Sequence, residues 1–140
     1  MMNPTPSNGT DTADAAAATH YILGGDHVGV AIAERLRTEG QRVVIVDEPS
    51  PPEGIPGVTG DPAAAEVLAE AGIEDASTVI VATSRDRRNL LIAQLVRVRF
   101  DVQRVLALVN DPSRRTAFAD AGHEPLCVTT VLSEAVGEVV

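Results

Sequence analysis

Short apolar runs rich in Val and Ile recur along this chain and alternate with longer segments of helical period. Continuous hydrophobicity of this kind is typical of β-strands that are covered on both faces. Because strands that alternate with helices are joined by right-handed crossovers, the pattern predicts an α/β domain with a parallel sheet between two helical layers. The predicted strands are residues 21–24, 42–47, 78–83, 104–110 and 125–128, with a short strand near Val58.

Cap residues mark the helices between these strands. Two Asp-Pro pairs, each followed by a later Gly, predict helices because Asp caps a first turn, Pro pre-orients it and Gly permits a left-handed end. The chain is therefore predicted to be a single Rossmann-type domain, a doubly wound parallel sheet with helices on both faces. The predicted helices are 27–40 with Val28, Ile32 and Leu36 on one face, 61–72, 86–99 with Leu90, Leu91, Leu95 and Val98 inward, 111–122, and about 130 to the C-terminus.

The first strand runs into a glycine turn, in the sequence YILGGDHVG. In a dinucleotide-binding unit, the first glycine makes the tight turn, the second lets the backbone approach the pyrophosphate, and the third permits close helix packing. Gly24 and Gly29 hold the outer positions, Gly25 is additional, and Asp26 stands where the middle glycine would be. The turn opens a helix, whose free N–H groups and dipole favour phosphate.

An acid ends the second predicted strand. Asp47 follows Gly24 at close to the separation of about 20 residues that is expected for a carboxylate that binds ribose hydroxyls. Glu48 is its neighbour, and two acids there repel a 2′-phosphate, which favours NAD or NADH over the phosphorylated cofactors. The alternative is that Asp47 only caps a turn.

Asp26 opposes phosphate binding. A carboxylate about 4 Å from a phosphate charge costs on the order of 4 kcal/mol at an effective dielectric of 20. The dipole at the N-terminus of the helix stabilises a bound phosphate by only about 0.3 to 2 kcal/mol. Repulsion is therefore expected to win in dilute buffer unless strong salt, a bridging cation or a nearby arginine offsets it. Otherwise the site has degenerated and serves only to fold the domain.

Arginines follow the third main strand, in the sequence ATSRDRRN. Cations at a helix N-terminus oppose its dipole, so these side chains are expected near an anion: a ligand phosphate, Asp26, Glu48 or an acidic partner. A solvated cluster relieved by Asp86 is the alternative. Thr83 and Ser84 end a parallel strand, where ligands usually bind. His27 is a candidate phosphate donor or an exposed histidine. The arginines are Arg85, Arg87 and Arg88.

Composition limits the class of protein. The net charge is −9 and the chain contains no Lys, which indicates a protein adapted to concentrated salt or an arginine-biased genome. Nucleic-acid binding is disfavoured because basic charge is not dominant.

Residues 1–18 are small, polar and acidic, so they are interpreted as a disordered tail rather than a secretory signal. No run approaches the roughly 18 apolar residues of a membrane span, and we expect a cytoplasmic protein with Cys127 as a buried apolar residue.

The chain resembles the N-terminal, nucleotide-binding domain of the TrkA/RCK family of potassium uptake and channel regulators, over roughly residues 19–140. The resemblance rests on GGDHVG, on IVDE at the end of strand two, on TGDP, on AGIEDASTVIVAT with RDRRNLLIA, and on LALVNDP. It implies a cytoplasmic, oligomeric module that senses NAD, NADH or another adenine nucleotide and controls a membrane potassium channel or transporter.

Family ligand positions are carried over by this resemblance. They imply phosphate contacts from the glycine turn, a ribose contact from Asp47, a place near the adenosine for Asp61, and contacts beyond from Thr83 and Ser84. Two departures, Asp26 and Leu108, remove anion affinity, since relatives carry an arginine at the second position. The family's C-terminal ligand-binding domain is not recognised in this sequence. The implied phosphate residues are Gly24, Gly25, Asp26, His27, Val28 and Gly29.

Two other functions are alternatives to a regulatory module. A degenerate Rossmann domain would act only as a structural or dimerisation partner, and Asp26 and Leu108 favour it. A nicotinamide-dependent oxidoreductase needs a catalytic donor, yet the chain has no Lys and its one Tyr lies in the first strand. We therefore expect no enzymatic activity and no catalytic or metal-binding residues, and His123 is interpreted as an ordinary loop histidine.

Overall fold

The computed structural model describes residues 18–140, and the predicted tail of residues 1–18 lies outside that range except for Ala18. Six parallel strands form one sheet in the order β3-β2-β1-β4-β5-β6. The strands are β1 (Thr19–Leu23), β2 (Arg42–Asp47), β3 (Gly57–Thr59), β4 (Thr78–Val81), β5 (Val105–Val109) and β6 (Glu124–Cys127). The helices are α1 (His27–Thr38), α2 (Ala65–Ala71), α3 (Asp86–Phe100), α4 (Arg115–Asp120) and α5 (Val128–Val139), with 3-10 turns at Ile73–Asp75 and Pro112–Arg114.

Successive residues of β1 enter two different hydrophobic clusters. Tyr21 and Leu23 pack with residues of α2, α3 and α4, whereas Ile22 packs with α1. Side chains of a strand alternate between the two faces of a sheet, so both faces are covered by helices. The predicted doubly wound α/β fold is confirmed.

The chain reverses its direction of travel across the sheet at β1. This strand pairs with β2 on one side and with β4 on the other, with Leu23 opposite Val46 and Val81. In open α/β sheets, ligands bind at the carboxyl ends of the strands where the strand order reverses. The edge that joins the ends of β1, β2 and β4 is therefore the place to look for a site.

Helix α3 turns only part of its predicted face to the core: Leu90 and Leu95 are half-buried against the main cluster, as predicted. Leu91 and Val98 are 61% and 79% exposed, so their predicted inward direction is wrong. The buried stripe consists of Asn89, Ile92, Ala93 and Val96. This stripe has the i, i+3, i+4, i+7 spacing of one helical face, but it begins with an asparagine, which a search for apolar periodicity passes over.

Helix α1 is also packed through its smaller residues. Gly29 and Ala33 are its buried positions, while Ile32 and Leu36 are half-buried against the same cluster. Val28 is 41% exposed, so its predicted place on the inner face is wrong. Small residues bring the helix close to the sheet, and the larger ones flank the contact.

Two predicted helices begin later than expected. Asp61 and the residues after it form a turn, in which the Asp61 carboxylate accepts from the Ala63 N–H at 2.9 Å, and α2 starts at Ala65. Asp111 caps a 3-10 turn through the Ser113 N–H at 3.0 Å before α4 begins at Arg115. In both cases the Asp-Pro pair marks a capped turn rather than the first turn of the helix.

His123 lies in the loop before β6, as predicted, but it is buried. Only 4% of the residue is exposed, and within residues 18–140 neither ring nitrogen has a hydrogen-bond partner. Burial lowers the pKa of His123, and the charge of Arg97 lowers it further.

Cys127 is buried, as predicted. No helix within residues 18–140 is long and apolar enough to span a membrane.

Candidate functional site at the carboxyl edge of the sheet

The glycine turn after β1 is closely packed. A Cβ atom on Gly29 would lie 2.3 Å from the Gly24 carbonyl oxygen, and one on Gly24 would lie 2.6 Å from the Thr83 methyl carbon. The Gly24 N–H donates to the Val46 carbonyl at 2.9 Å, which ties the turn to β2. The outer glycines therefore hold α1 against the sheet and the turn against the loop that follows β4.

Asp26 adopts a backbone conformation that favours glycine. Its φ is +50° and its ψ is −122°, and it is one of two non-glycine residues with positive φ among residues 18–140. Its side chain is exposed and makes no capping hydrogen bond to α1 within the described range. The position thus keeps the geometry of the middle glycine while carrying a carboxylate.

Asp47 is joined to this turn through the backbone. Its Oδ2 accepts from the Asp26 N–H at 2.9 Å, and its Oδ1 accepts from the Glu48 N–H at 2.8 Å. Each carboxylate oxygen has about two lone pairs, so capacity remains for hydroxyl donors from a ligand. The carboxylate is held in place at the end of β2, where a ribose would meet it.

A pocket of about 270 Å³ opens between the first turn of α1, the end of β2 and the loop after it; we call it the β2 pocket. Three predicted site residues, Asp26, His27 and Asp47, line it. Apart from Ser50, its other walls are apolar, which suits a flat base or sugar rather than a charged group. The remaining lining residues are Val30, Ile45, Pro49, Ser50, Pro51 and Pro52.

The other predicted site residues lie along the same edge but do not line the β2 pocket. Glu48 and Ser84 are exposed, and Thr83 is buried beside Gly24. Arg85 lines a second groove further along the edge. Within residues 18–140 there is no group of three or more His, Cys, Asp or Glu side chains that could hold a metal ion.

Asn89 organises this edge and was missed from the sequence. It is fully buried, and its Nδ2 donates to the carbonyl oxygens of Thr83 at 3.0 Å and Leu108 at 2.9 Å. Its Oδ1 accepts from the Thr83 N–H at 3.1 Å and from the Thr83 hydroxyl. All of its hydrogen-bonding groups are used, so it fixes the loop after β4 relative to β5. The signal available in the sequence was its position three, four and seven residues before the apolar residues that α3 buries.

The arginines pair differently from the prediction. Arg88 binds Asp61 at 2.7 Å, while no salt bridge within residues 18–140 involves Asp26 or Glu48. Of the three ways in which the repulsion by Asp26 could be offset, the nearby arginine is therefore not found among residues 18–140. The carboxylate of Asp61 also accepts from the Ala63 N–H. Both Arg88 and Ala63 therefore occupy the carboxylate that was predicted to lie near the adenosine. Leu108 is half-buried in β5 and supplies only its backbone carbonyl, to Asn89.

The geometry suits a neutral polyol and a flat ring better than a polyanion. Asp26 and Asp47 both line the β2 pocket, and no arginine among residues 18–140 lines it. Hydroxyl groups can donate to the carboxylates, whereas phosphate charges are repelled. The residues fit the ribose and base of a nucleotide and oppose its phosphates.

Comparison with known proteins agrees with this architecture. The model of the TrkA-N domain family matches residues 21–133. The Trk system potassium uptake protein TrkA of Streptomyces coelicolor is 32% identical over 108 residues, which cover 72% of this chain and 48% of that protein. The chain thus spans about half the length of this relative.

Two solved structures superimpose well on the chain. The NAD(P)-binding domain of an exopolyphosphatase-related protein from Archaeoglobus fulgidus has a TM-score of 0.76 and 25% identity, and covers 85% of this chain and 94% of that one. The GsuK RCK domain has a TM-score of 0.71 and 25% identity, over 79% of this chain and 25% of that one. With a family model that matches most of its length, the chain belongs to the TrkA-N domain family.

Proposed function

We propose that this domain is a regulatory module that binds an adenine nucleotide, with NAD or NADH as the first candidates, and thereby controls potassium transport. The observation that carries the proposal is the β2 pocket, where a fixed carboxylate at the end of β2 meets a glycine turn. The A. fulgidus neighbour, described as an NAD(P)-binding domain, supports the ligand class. The Streptomyces relative, a potassium uptake protein, supports the process.

The residues fit one half of a dinucleotide well. Asp47 would accept the ribose hydroxyls, and the pocket volume of about 270 Å³ matches a nucleoside rather than a whole dinucleotide. Gly24, Gly25 and Gly29 would bring the backbone close to the phosphates, with His27 and Val28 opening the helix behind them. Thr83 and Ser84 border the same edge, while Asp61 would influence the adenosine only after release from Arg88.

Asp26 makes binding depend on salt. A carboxylate at the phosphate position costs on the order of 4 kcal/mol at 4 Å and an effective dielectric of 20, but screening shortens the reach of this repulsion to about 3 Å at 1 M salt. We therefore propose that the domain binds its nucleotide most tightly in concentrated salt. The acidic, lysine-free composition supports such an environment.

Regulation requires a partner and, in this proposal, a second copy of the chain. Nucleotide binding controls transport only if it changes the population of two states of an assembly that contains a membrane channel or transporter.

Helix α5 exposes Val131, Leu132 and Val136 by more than half, which supports burial of this face in a homo-oligomer. Such a module would lie in the cytoplasm, beside the membrane through its partner. Sedimentation at several concentrations tests the oligomer, with Leu132→Glu expected to shift it towards monomer.

Calorimetry with NAD, NADH, ATP and AMP, at low and at multimolar KCl, tests the binding. We expect affinity to rise with KCl for the ligands that carry a pyrophosphate, and to change less for AMP. Asp47→Asn should weaken binding about tenfold by removing a charged acceptor for ribose. Glu53→Gln, at an exposed position of the same loop that does not line the pocket, is the matched control and should bind normally.

A structural role is the second candidate, because Asp26 opposes the phosphates. The absence of binding heat with all four nucleotides at both salt concentrations would favour this scaffold. An oxidoreductase is a weaker alternative, since no buried acid or base lines the β2 pocket among the described residues. Change in nicotinamide absorbance with candidate substrates would overturn the regulatory assignment in favour of catalysis.

A further inference from the structure

A second groove lies on the α3 side of the sheet edge; we call it the arginine groove. It has a volume of about 550 Å³ and is open to solvent. Four arginines and two aspartates from the loop after β4, from α3 and from the 3-10 turn after β5 line it: Arg85, Arg87, Arg88, Arg114, Asp86 and Asp111. Ala63 and Leu91 complete the walls, and the groove shares no lining residue with the β2 pocket.

The aspartates of the groove are already committed to other donors. Oδ1 of Asp86 accepts from the Asn110 N–H at 2.7 Å, and its Oδ2 accepts from the Asp111 N–H at 2.8 Å. Asp111 in turn accepts from the Ser113 N–H at 3.0 Å and the Ser113 hydroxyl at 2.8 Å. Asp86 thus holds the backbone, and Asp111 both caps the turn and lies beside Arg114, so two aspartates face four guanidinium groups in the lining.

Two of the four arginines have no partner within the described part of the chain. Arg88 is paired with Asp61 at 2.7 Å, and Arg114 lies 3.7 Å from Asp111. The side chains of Arg85 and Arg87 make neither a hydrogen bond nor a salt bridge within residues 18–140. In a chain of net charge −9, the groove thus concentrates positive charge that the protein itself does not balance.

The donor geometry indicates which anion fits. Each guanidinium presents a planar fork of N–H groups that pairs with two oxygens of a phosphate. Charges converging from three segments of the chain can contact more than one phosphate at a time, and the open groove has room for a small molecule. We propose that the arginine groove is a second binding site, for a small molecule that carries two or more phosphate groups.

This site is independent of the nucleotide assigned to the β2 pocket. Tripolyphosphate, which has no ribose or base, is the suitable probe because it engages the arginine groove without the contacts of Asp47. Calorimetry of the full chain at low ionic strength should show binding at one site. The double variant Arg87→Gln/Arg114→Gln should weaken it about tenfold.

Two controls separate this site from its alternatives. Arg99→Gln removes one positive charge, where the groove variant removes two, from the exposed far end of α3 and should change binding less than about twofold. Asp26→Asn should leave tripolyphosphate affinity unchanged. Circular dichroism and thermal unfolding establish that each variant is folded. Arg88 is left intact because it pairs with Asp61.

Three outcomes would overturn the proposal. Equal losses in Arg99→Gln and in the groove variant would indicate general counter-ion attraction. Tighter binding in Asp26→Asn, with no effect of the groove variant, would place the anion at the glycine turn. No heat with tripolyphosphate would leave an acidic protein surface as the partner of the arginines. None of these results bears on nucleotide binding through Asp47, which is measured separately with AMP.

Discussion

The backbone N–H of Asp26 donates to the side chain of Asp47 across 2.9 Å, which joins the glycine turn to the end of β2. The residue that would reject phosphate is thereby held beside the residue that would accept ribose. Since Asp26 uses its backbone for this contact, its carboxylate stays exposed and can be altered without removing the link. Charge and geometry at this position can therefore be tested separately.

Asp26→Asn and Asp26→Gly should both tighten dinucleotide binding, by at least about tenfold, because each removes the repelling charge. Only the glycine variant should also stabilise the fold, by about 1 kcal/mol or more, since φ of +50° and ψ of −122° strain a residue with a Cβ. Calorimetry and chemical unfolding measure the two effects. Unchanged or weaker binding in both variants would show that Asp26 does not repel the ligand.

Gly29→Ala should destabilise the domain by about 3 kcal/mol or more, because the new Cβ would lie 2.3 Å from the Gly24 carbonyl oxygen. Gly137→Ala in α5 is the matched control: no other residue lies within 4 Å of its Cβ position, and helix propensity favours alanine by about 1 kcal/mol. Urea unfolding compares the two. Equal stability in both variants would mean that α1 can move away from β1.

Asn89→Ala should cost about 3 kcal/mol, since it leaves the Thr83 N–H and the carbonyl oxygens of Thr83 and Leu108 without their partner. Gln94→Ala, on the exposed side of the same helix, should change stability by less than about 0.5 kcal/mol. Hydrogen exchange should show the loss of protection concentrated in the loop after β4. A loss equal to that of Gln94→Ala would remove Asn89 from its organising role.

The buried His123 should make stability depend on pH. Its pKa is lowered in the folded state by burial and by Arg97, so the unfolded chain binds the proton more readily. Stability from this residue is complete above about pH 6.5, the usual value for histidine, and falls as the pH decreases below it. His123→Leu should flatten that decrease in thermal unfolding, whereas His27→Gln at an exposed position should not. An unaltered pH profile in His123→Leu would contradict the assignment.

Most strands were predictable because β1, β2, β4 and β5 contain short apolar runs rich in Val and Ile, bounded by turn residues. The helical faces were not, since α3 buries Asn89 where a search for apolar residues follows Leu90 and Leu91. An asparagine is recognised as a core residue only when its partners on β5 and after β4 are known. Apolar spacing alone could not supply those long-range contacts.

The candidate site was predicted in its chemistry more than in its pairings. Asp47 lies beside the glycine turn, as its separation from Gly24 indicates, and the β2 pocket opens there. The ion pair between Arg88 and Asp61 depends on how α3 lies against the turn before α2, which local patterns do not determine. The roles of the predicted residues in binding remain predictions for calorimetry.

The position of β1 in the sheet has a consequence for how the protein is made. Among the six strands described in residues 18–140, this one is the first to leave the ribosome, yet its neighbours β2 and β4 both follow it in the chain. Parallel pairings between distant segments form slowly, because the intervening chain must first be closed into a loop. The edge that holds the candidate site is therefore complete only after β4 has been synthesised, because Thr83, which packs on Gly24, follows that strand.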